Sequence, residues 1–360
     1  MTDRIQLEAA LRRLVTGFEA LRDEGRFDEP NLDGTRGDYI SFAAWEWPQG
    51  VGLYGLAQLW LARGRDPELG AMLTGWYDRA RTRGLPSLNV NTTAPMLALS
   101  ILWRETGDPR HGAALADWAD RVMATAPRTG FGGFQHDATD KVNTGELWDD
   151  TLFMVALFLA SYGQGAKRPD LVDEAVRQFL AHAHFLADRE TGLWFHGWTF
   201  QGRHNFARAR WARGNAWVTA CLLDVFDLAD IPAAPAAFLR DILRDQVAAL
   251  LPLQTARGAW RTLLDDPTSY EEISATAGFA YGLMKGARLG LLGTDATQAG
   301  RRAVEAVLRH IGPDGVVGGV SYGTRMGHDL QFYRDIPIQP TGYGQSLAIL
   351  ALVEALREAE

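Results

Sequence analysis

At 360 residues and a net charge of -8, the chain offers no clustered basic face, which excludes nucleic acid and acidic membrane surfaces as partners. Its one cysteine, Cys221, lies in the apolar run 217–223 and rules out a disulfide within the chain, which suits a reducing cytoplasm. Residues 1–8 lack an apolar secretory core and no apolar run is long enough to cross a bilayer, so a soluble cytoplasmic protein is expected.

Helical periodicity runs from end to end without a Pro-, Ser- or charge-rich linker, which predicts one catalytic domain over 1–360 built from about twelve helices. The segments alternate in character along the chain. Those near 5–24, 67–82, 109–126, 168–186, 233–250 and 294–311 carry a charged face. Those near 47–63, 92–104, 145–162, 211–228, 272–290 and 341–357 are apolar on most sides. A helix with no polar face needs neighbours all round it, so the alternation predicts two concentric layers, an all-α (α/α)6 barrel. Counting segments leaves a seven-helical alternative open. The weak internal repeat of roughly 45–65 residues favours closure over an open solenoid.

Each apolar segment opens on a polar or aromatic cluster. In chain order these are Trp45-Glu46-Trp47-Pro48-Gln49, Asn89-Val90-Asn91-Thr92, Glu146-Leu147-Trp148-Asp149-Asp150, Arg210-Trp211-Ala212-Arg213, Tyr270-Glu271-Glu272 and Thr341-Gly342-Tyr343-Gly344-Gln345. Singly, such a cluster is an ordinary helix cap. If the inner helices run parallel, all six meet at one mouth, where free N–H groups and dipole ends attract an anion. Two Gly- and aromatic-rich loops bring histidines there: His136 ahead of the acidic cluster and His196 ahead of the arginine cluster. No HExxH pair, cysteine cluster, Gly-rich phosphate loop or GxSxG elbow is present, so metal, nucleotide and acyl-serine chemistry have no support in the sequence. What remains is carboxylate acid/base work in an aromatic pocket. Periodicity does not choose between Asp149 and Asp150. Burial raises a carboxyl by more than a helix N-terminus lowers it, so desolvation is expected to poise the acid for proton donation.

The run Trp148-Asp149-Asp150-Thr151-Leu152-Phe153-Met154, the loop Phe195-His196-Gly197-Trp198, the run Trp211-Ala212-Arg213-Gly214-Asn215-Ala216-Trp217, and Ser321-Tyr322-Gly323-Thr324 with Tyr343-Gly344-Gln345-Ser346 resemble glycoside hydrolase family 105, the unsaturated rhamnogalacturonyl hydrolases. The resemblance covers nearly the whole chain, with its motifs in family order. It implies the same barrel, no metal or organic cofactor, and a small anionic oligosaccharide as partner. The implied reaction removes a 4,5-unsaturated uronic acid from the non-reducing end by hydration: an aspartic acid protonates carbon 4, and its carboxylate then helps water add at carbon 5. The family pattern places that acid at Asp150, with Asp149 as an orienting or capping neighbour. It further implies that His196 contacts the sugar or its water, Arg213 pairs with the substrate carboxylate or a hydroxyl, Trp217 packs on the ring, and His136 lies near the double bond. Trp47, Asn91, Trp148 and Tyr343, from the mouth clusters, complete the expected substrate-binding set. Related branches carry aspartate where this chain has Asn91, which can hydrogen-bond a hydroxyl or water but cannot act as a base.

Three other readings compete. An inverting glycosidase would pair Asp150 with Glu46 or Glu272 across a bound sugar. A sugar epimerase on the same toroid would rely on His136 and His196, and a non-catalytic sugar binder would tolerate loss of Asp150.

Overall fold

The apolar segments become the inner wall of a closed ring. In the computed structural model, which describes residues 3–359 apart from 24, 26–29 and 324, helix α2 (Trp47–Ala62) packs on α5 (Pro95–Thr106), α5 on α7 (Leu157–Ala166), and α7 on α9 (Ala212–Leu228). Helix α9 continues to α11 (Ile273–Arg288), α11 to α14 (Gly342–Glu358), and α14 returns to α2. Closure after six members settles the count that the sequence left open. Glu24, at the end of the first charged segment, and Thr324, in the Ser321 motif, lie outside the described residues.

The charged-face helices form the outer layer. Helix α1 (Arg4–Ala20) covers α14, α3 (Pro67–Arg83) covers α2, and α6 (Pro109–Thr125) covers α5. Likewise α8 (Pro169–Leu186), α10 (Ala233–Leu250) and α12 (Thr294–Leu308) cover α7, α9 and α11. The layers follow from side-chain pattern: α12 buries a stripe of Ala296, Ala299, Gly300, Ala303, Val304 and Val307, whereas α2 buries every residue from Trp47 to Trp60. The architecture is the expected (α/α)6 barrel.

Two inner segments depart from the predicted continuous helices. The second breaks into α4 (Val90–Thr93) and α5 because Pro95 has no N–H to give the preceding turn. Helix α2 approaches the break closely, since a Cβ at Gly50 would lie 2.6 Å from the Ala94 carbonyl carbon and the Pro95 nitrogen. The third does not begin as a helix: Glu146–Trp148 form strand β1, paired antiparallel with β2 (Gly197–Thr199), and Leu152–Ala156 form a π-helical turn before α7. A second short ribbon pairs β3 (Trp260–Arg261) with β4 (Glu271–Glu272), just before α11. A five-residue helix α13 (Leu330–Arg334) lies in the loop before α14.

Away from the N-terminal mouth, the inner helices are tied by a buried ionic cluster. Lys285 Nζ of α11 lies 2.5 Å from Asp224 Oδ1 and 2.7 Å from Asp227 Oδ2 of α9. The hydroxyls of Tyr54 (α2) and Tyr281 (α11) donate to the same Asp224 oxygen at 3.0 and 2.5 Å. Burial works against the Lys285 charge, but Asp224 outweighs it and holds the ammonium pKa above its ordinary value. Removing one partner of such a cluster strands a buried charge. Lys285→Met is therefore expected to destabilise the fold by about 3–5 kcal/mol in urea titrations, and adding Asp224→Asn should recover part of the loss.

Candidate active site

The chemistry gathers where β1 turns into the π-helical turn. Pairing of Trp148 with Gly197 brings the His196 backbone beside Asp149, whose N–H donates to the His196 carbonyl at 3.1 Å. Asp150 follows, its Oδ2 3.4 Å from His196 Nε2, while the other ring nitrogen of His196 shares a 2.8 Å hydrogen bond with the Tyr333 hydroxyl. Trp211 packs against the His196 ring with centroids 4.4 Å apart. Across the site, His136 Nδ1 is 2.8 Å from Thr151 Oγ1, and its ring stacks on Trp148 at 4.2 Å and 10°. The Trp148 indole N–H is held by Glu146 at 2.8 Å. His136, Trp148 and His196 are thus each held by one hydrogen bond and one ring contact, and π-turns of this kind recur at functional sites.

These groups front a cavity of about 790 Å³. Its buried wall includes Trp47, Asn91, His136, Trp148, Asp150 and Tyr343, with Trp47 and Tyr343 stacked at 4.8 Å and 18°. Asn91 donates to the Tyr39 hydroxyl at 3.4 Å. Its more exposed wall comes from the 137–143 loop and from residues 322–337, among them Asp140, Lys141, Tyr322, Arg325 and Phe332. Arg325 bridges the two segments through Asp140 at 2.9 Å.

Electrostatics separates the two neighbouring acids. Burial pushes Asp150 up, but the His196 ring 3.4 Å away, helped by His136 and Arg213, outweighs it and holds Asp150 below the usual carboxylate range. For Asp149, burial acts first, the Asp150 charge adds to it, and the carboxyl is held well above that range. The expected win for desolvation therefore falls on Asp149, and Asp150 is ionised at rest. Burial lowers His136 to about 4, so its ring is neutral near pH 7.

Four expected contact residues lie elsewhere than on the cavity wall. Arg213 is fully buried behind it, donating to Ser274, the Ser321 carbonyl and hydroxyl, and the Gly323 carbonyl at 2.6–3.2 Å, between the faces of Trp211 and Tyr343. With both terminal nitrogens engaged, it braces the 321–323 segment and does not line the cavity. Trp217 is core, packed on Phe153 and edge-on to Trp47. Asp149 is sealed and caps nothing, and His196 reaches the cavity only through Asp150. The mouth is accordingly built by four of the six helix starts, while those of α9 and α11 lie behind its wall. The residues that sequence reasoning missed are Tyr39, Asp140, Lys141 and Arg325, in irregular segments without periodicity, and Phe332 and Tyr333, in the five-residue helix α13, too short to show one; Tyr322 carried a signal only through its motif.

Neither Glu46 nor Glu272 lines the cavity. Glu272 caps α11, accepting from the backbone of Ser274, Ala275 and Ser321 at 2.6–3.2 Å. The carboxyl pair that an inverting glycosidase requires is therefore not assembled from these residues. Asp149, Asp150 and His196 bring one atom each within 4.8 Å of one another, but three atoms, one from the sealed Asp149, fall short of the six to eight oxygens that calcium takes.

A buried acid steered by histidine in an aromatic-walled cavity at the mouth of this toroid defines a carbohydrate-active hydrolase, and comparison with known proteins agrees. Residues 26–359 match Glycosyl Hydrolase Family 88. The unsaturated rhamnogalacturonyl hydrolase YesR of Bacillus subtilis is 33% identical over 317 residues, 87% of this chain and 90% of the relative. Crystal structures of possible GH105 members from Salmonella enterica serovar Paratyphi A and Klebsiella pneumoniae superpose with TM-scores of 0.97 at 42% and 43% identity, covering 100% of this chain and 96% and 95% of theirs. The chain belongs to the family 88/105 glycoside hydrolases.

Behind Trp47, burial raises the Glu46 carboxyl to about 8 despite hydrogen bonds from Thr139 and the Trp47 N–H. Glu46 thus binds its proton more tightly folded than unfolded, so its contribution to stability is complete below about pH 4.5 and is lost as pH rises through about 8. Denaturant midpoints should fall across that interval in the wild type and fall less in Glu46→Gln.

Proposed function

We propose that the enzyme removes a 4,5-unsaturated uronic acid from the non-reducing end of pectin-derived oligosaccharides, rhamnogalacturonan fragments in particular, by hydrating the double bond. The observation that carries this reading is that Asp150 is the one buried carboxyl on the cavity wall among the described residues. Asp140 is tied to Arg325 and Tyr39, and Asp329 and Asp335 are exposed on the rim. Hydration needs one group that gives a proton and takes one back, and no nucleophilic side chain, because water is the nucleophile. The rhamnogalacturonyl substrate named for the Bacillus subtilis relative supports the choice of sugar.

In this reading Asp150, in its acid form, protonates carbon 4 with the π electrons of the C4=C5 bond, leaving positive charge shared by carbon 5 and the ring oxygen. Water adds at carbon 5 and returns a proton to Asp150. The resulting hemiketal opens at the C5–O bond, and the hemiacetal released at carbon 1 expels the remaining sugar. Trp47, stacked on Tyr343, and Trp148, stacked on His136, wall the ring; Asn91 is placed to bond a hydroxyl. The substrate carboxylate is assigned to Arg325 and Lys141, the cationic side chains on the wall among the described residues, in place of the enclosed Arg213. The half-exposed Phe332 offers a face to the next sugar. The lone cysteine supports a cytoplasmic setting, in which short oligosaccharides are processed.

Loss of the ene-carboxylate ultraviolet absorbance of an unsaturated rhamnogalacturonan disaccharide tests the reading directly. The wild type should remove the signal and Asp150→Asn should lower kcat by about 10²–10⁴-fold; a flat trace for the wild type on unsaturated galacturonyl and glucuronyl substrates alike refutes it. Arg325→Met should raise KM by roughly 10–100-fold with little change in kcat, the mark of a charge-assisted contact made equally in ground and transition states.

A further inference from the structure

The proposed reaction leaves unused the buried acid next to Asp150 in the chain. Asp149 is fully buried, and among the described residues no donor is hydrogen-bonded to either of its carboxyl oxygens. It is not a helix cap: the N–H groups of the first turn go to the backbone carbonyls of Asp149 and Asp150. Space has nevertheless been cleared for it, since a Cβ on Gly214 of α9 would lie 2.2 Å from Asp149 Oδ2. An ionised carboxylate cannot persist in such a place, because a buried charge without hydrogen bonds costs several kcal/mol. A neutral carboxylic acid can.

Asp149, Asp150 and His196 each bring a polar atom within 4.8 Å of the other two. Two carboxyls this close resist double ionisation. The other groups whose charge couples to Asp149 are the Arg213 guanidinium of α9, the Tyr333 phenol of α13 and the Cys221 thiol of α9; His136 acts on Asp150. Of these, Arg213 has both terminal nitrogens occupied elsewhere. Asp150 has His196 to stabilise its charge and Asp149 has no equivalent, so the pair's single proton rests on Asp149.

We propose that Asp149 is a positioning residue that holds the proton for catalysis: the Asp149 and Asp150 carboxyls carry one proton between them, which passes to Asp150, directly or through one water, when the substrate is bound. This rests on the hydration reading and supplies what it lacks, an acid form of Asp150 near neutral pH. The balance closes. The pair gives its proton to carbon 4, water gives hydroxide to carbon 5, and the water's second proton restores the pair.

Asp149→Asn keeps the shape and removes the acidic proton. With Asp150 left to take its proton from solvent, the alkaline limb of kcat/KM against pH should move down by at least one unit, with roughly 10²-fold loss at pH 7 and partial recovery on acidification. A variant that keeps the wild-type pH limb, or loses activity equally at every pH, overturns the proposal. Difference infrared spectra of the substrate-free protein give a second readout: at neutral pH the wild type should show a protonated-carboxyl C=O stretch that vanishes in Asp149→Asn and persists in Asp150→Asn, with Glu46→Gln assigning the contribution of Glu46. If Asp149→Asn fails to fold, persistence of the band in Asp150→Asn and in the Asp150→Asn/Glu46→Gln double variant supports the proposal and its loss from either overturns it. Because the infrared measurement needs no turnover, a wild type inactive on unsaturated uronides but showing the Asp149 band would sink the hydration reading and not the shared proton.

Discussion

Everything polar in this barrel is governed by the fact that its inner helices have no polar face. A closed ring of such helices can bury charge along its length only in fully paired form, as Lys285 with Asp224 and Asp227 shows. Unpaired chemistry is confined to the helix ends, where the loops also arrive. The cavity wall accordingly draws on the starts of α2, α4 and α14 and on the turn before α7, while the starts of α9 and α11 are consumed in holding Ser321 and Gly323 behind Tyr343.

Within that mouth, the β1–β2 ribbon does what a helix could not. A helix continuous through 146–150 would have turned Asp149 and Asp150 about 100° apart on one cylinder and left His196 to an independent loop. The ribbon fixes Trp148 against Gly197, hence His196 against Asp150, by backbone hydrogen bonds that depend on no side chain. The side chains then settle the electrostatics. His196 stabilises the charge on Asp150, Gly214 makes room for a neutral Asp149, and Trp148 with Trp211 keeps the rings in place.

Arg213 shows how a motif by itself leaves a side chain's surroundings open. Its place after Trp211 at the head of an apolar helix is legible in the sequence, but whether a guanidinium faces a ligand or braces a loop depends on what stands opposite. Here that is Ser274 and Ser321, 61 and 108 residues away. Trp217 is a similar case: the same helical spacing fits a sugar platform and a core residue, and Phe153 and Trp47 fill the space a sugar would need. The cationic rim escaped notice for the opposite reason. Lys141 and Arg325 lie in irregular segments, where no periodicity marks them and only folding brings Arg325 to Asp140.

The sequence by itself determined the layering, because a helix apolar on all sides can be stable only inside a second shell. It also determined that polar and aromatic clusters open the inner segments, with Asp149 and Asp150 in one of them and the two histidines in the loops ahead. Tertiary structure alone decided how charge is shared between Asp149 and Asp150. They are neighbours in the chain with the same side chain, and they differ only in what folding placed beside each: a histidine against one, a glycine against the other.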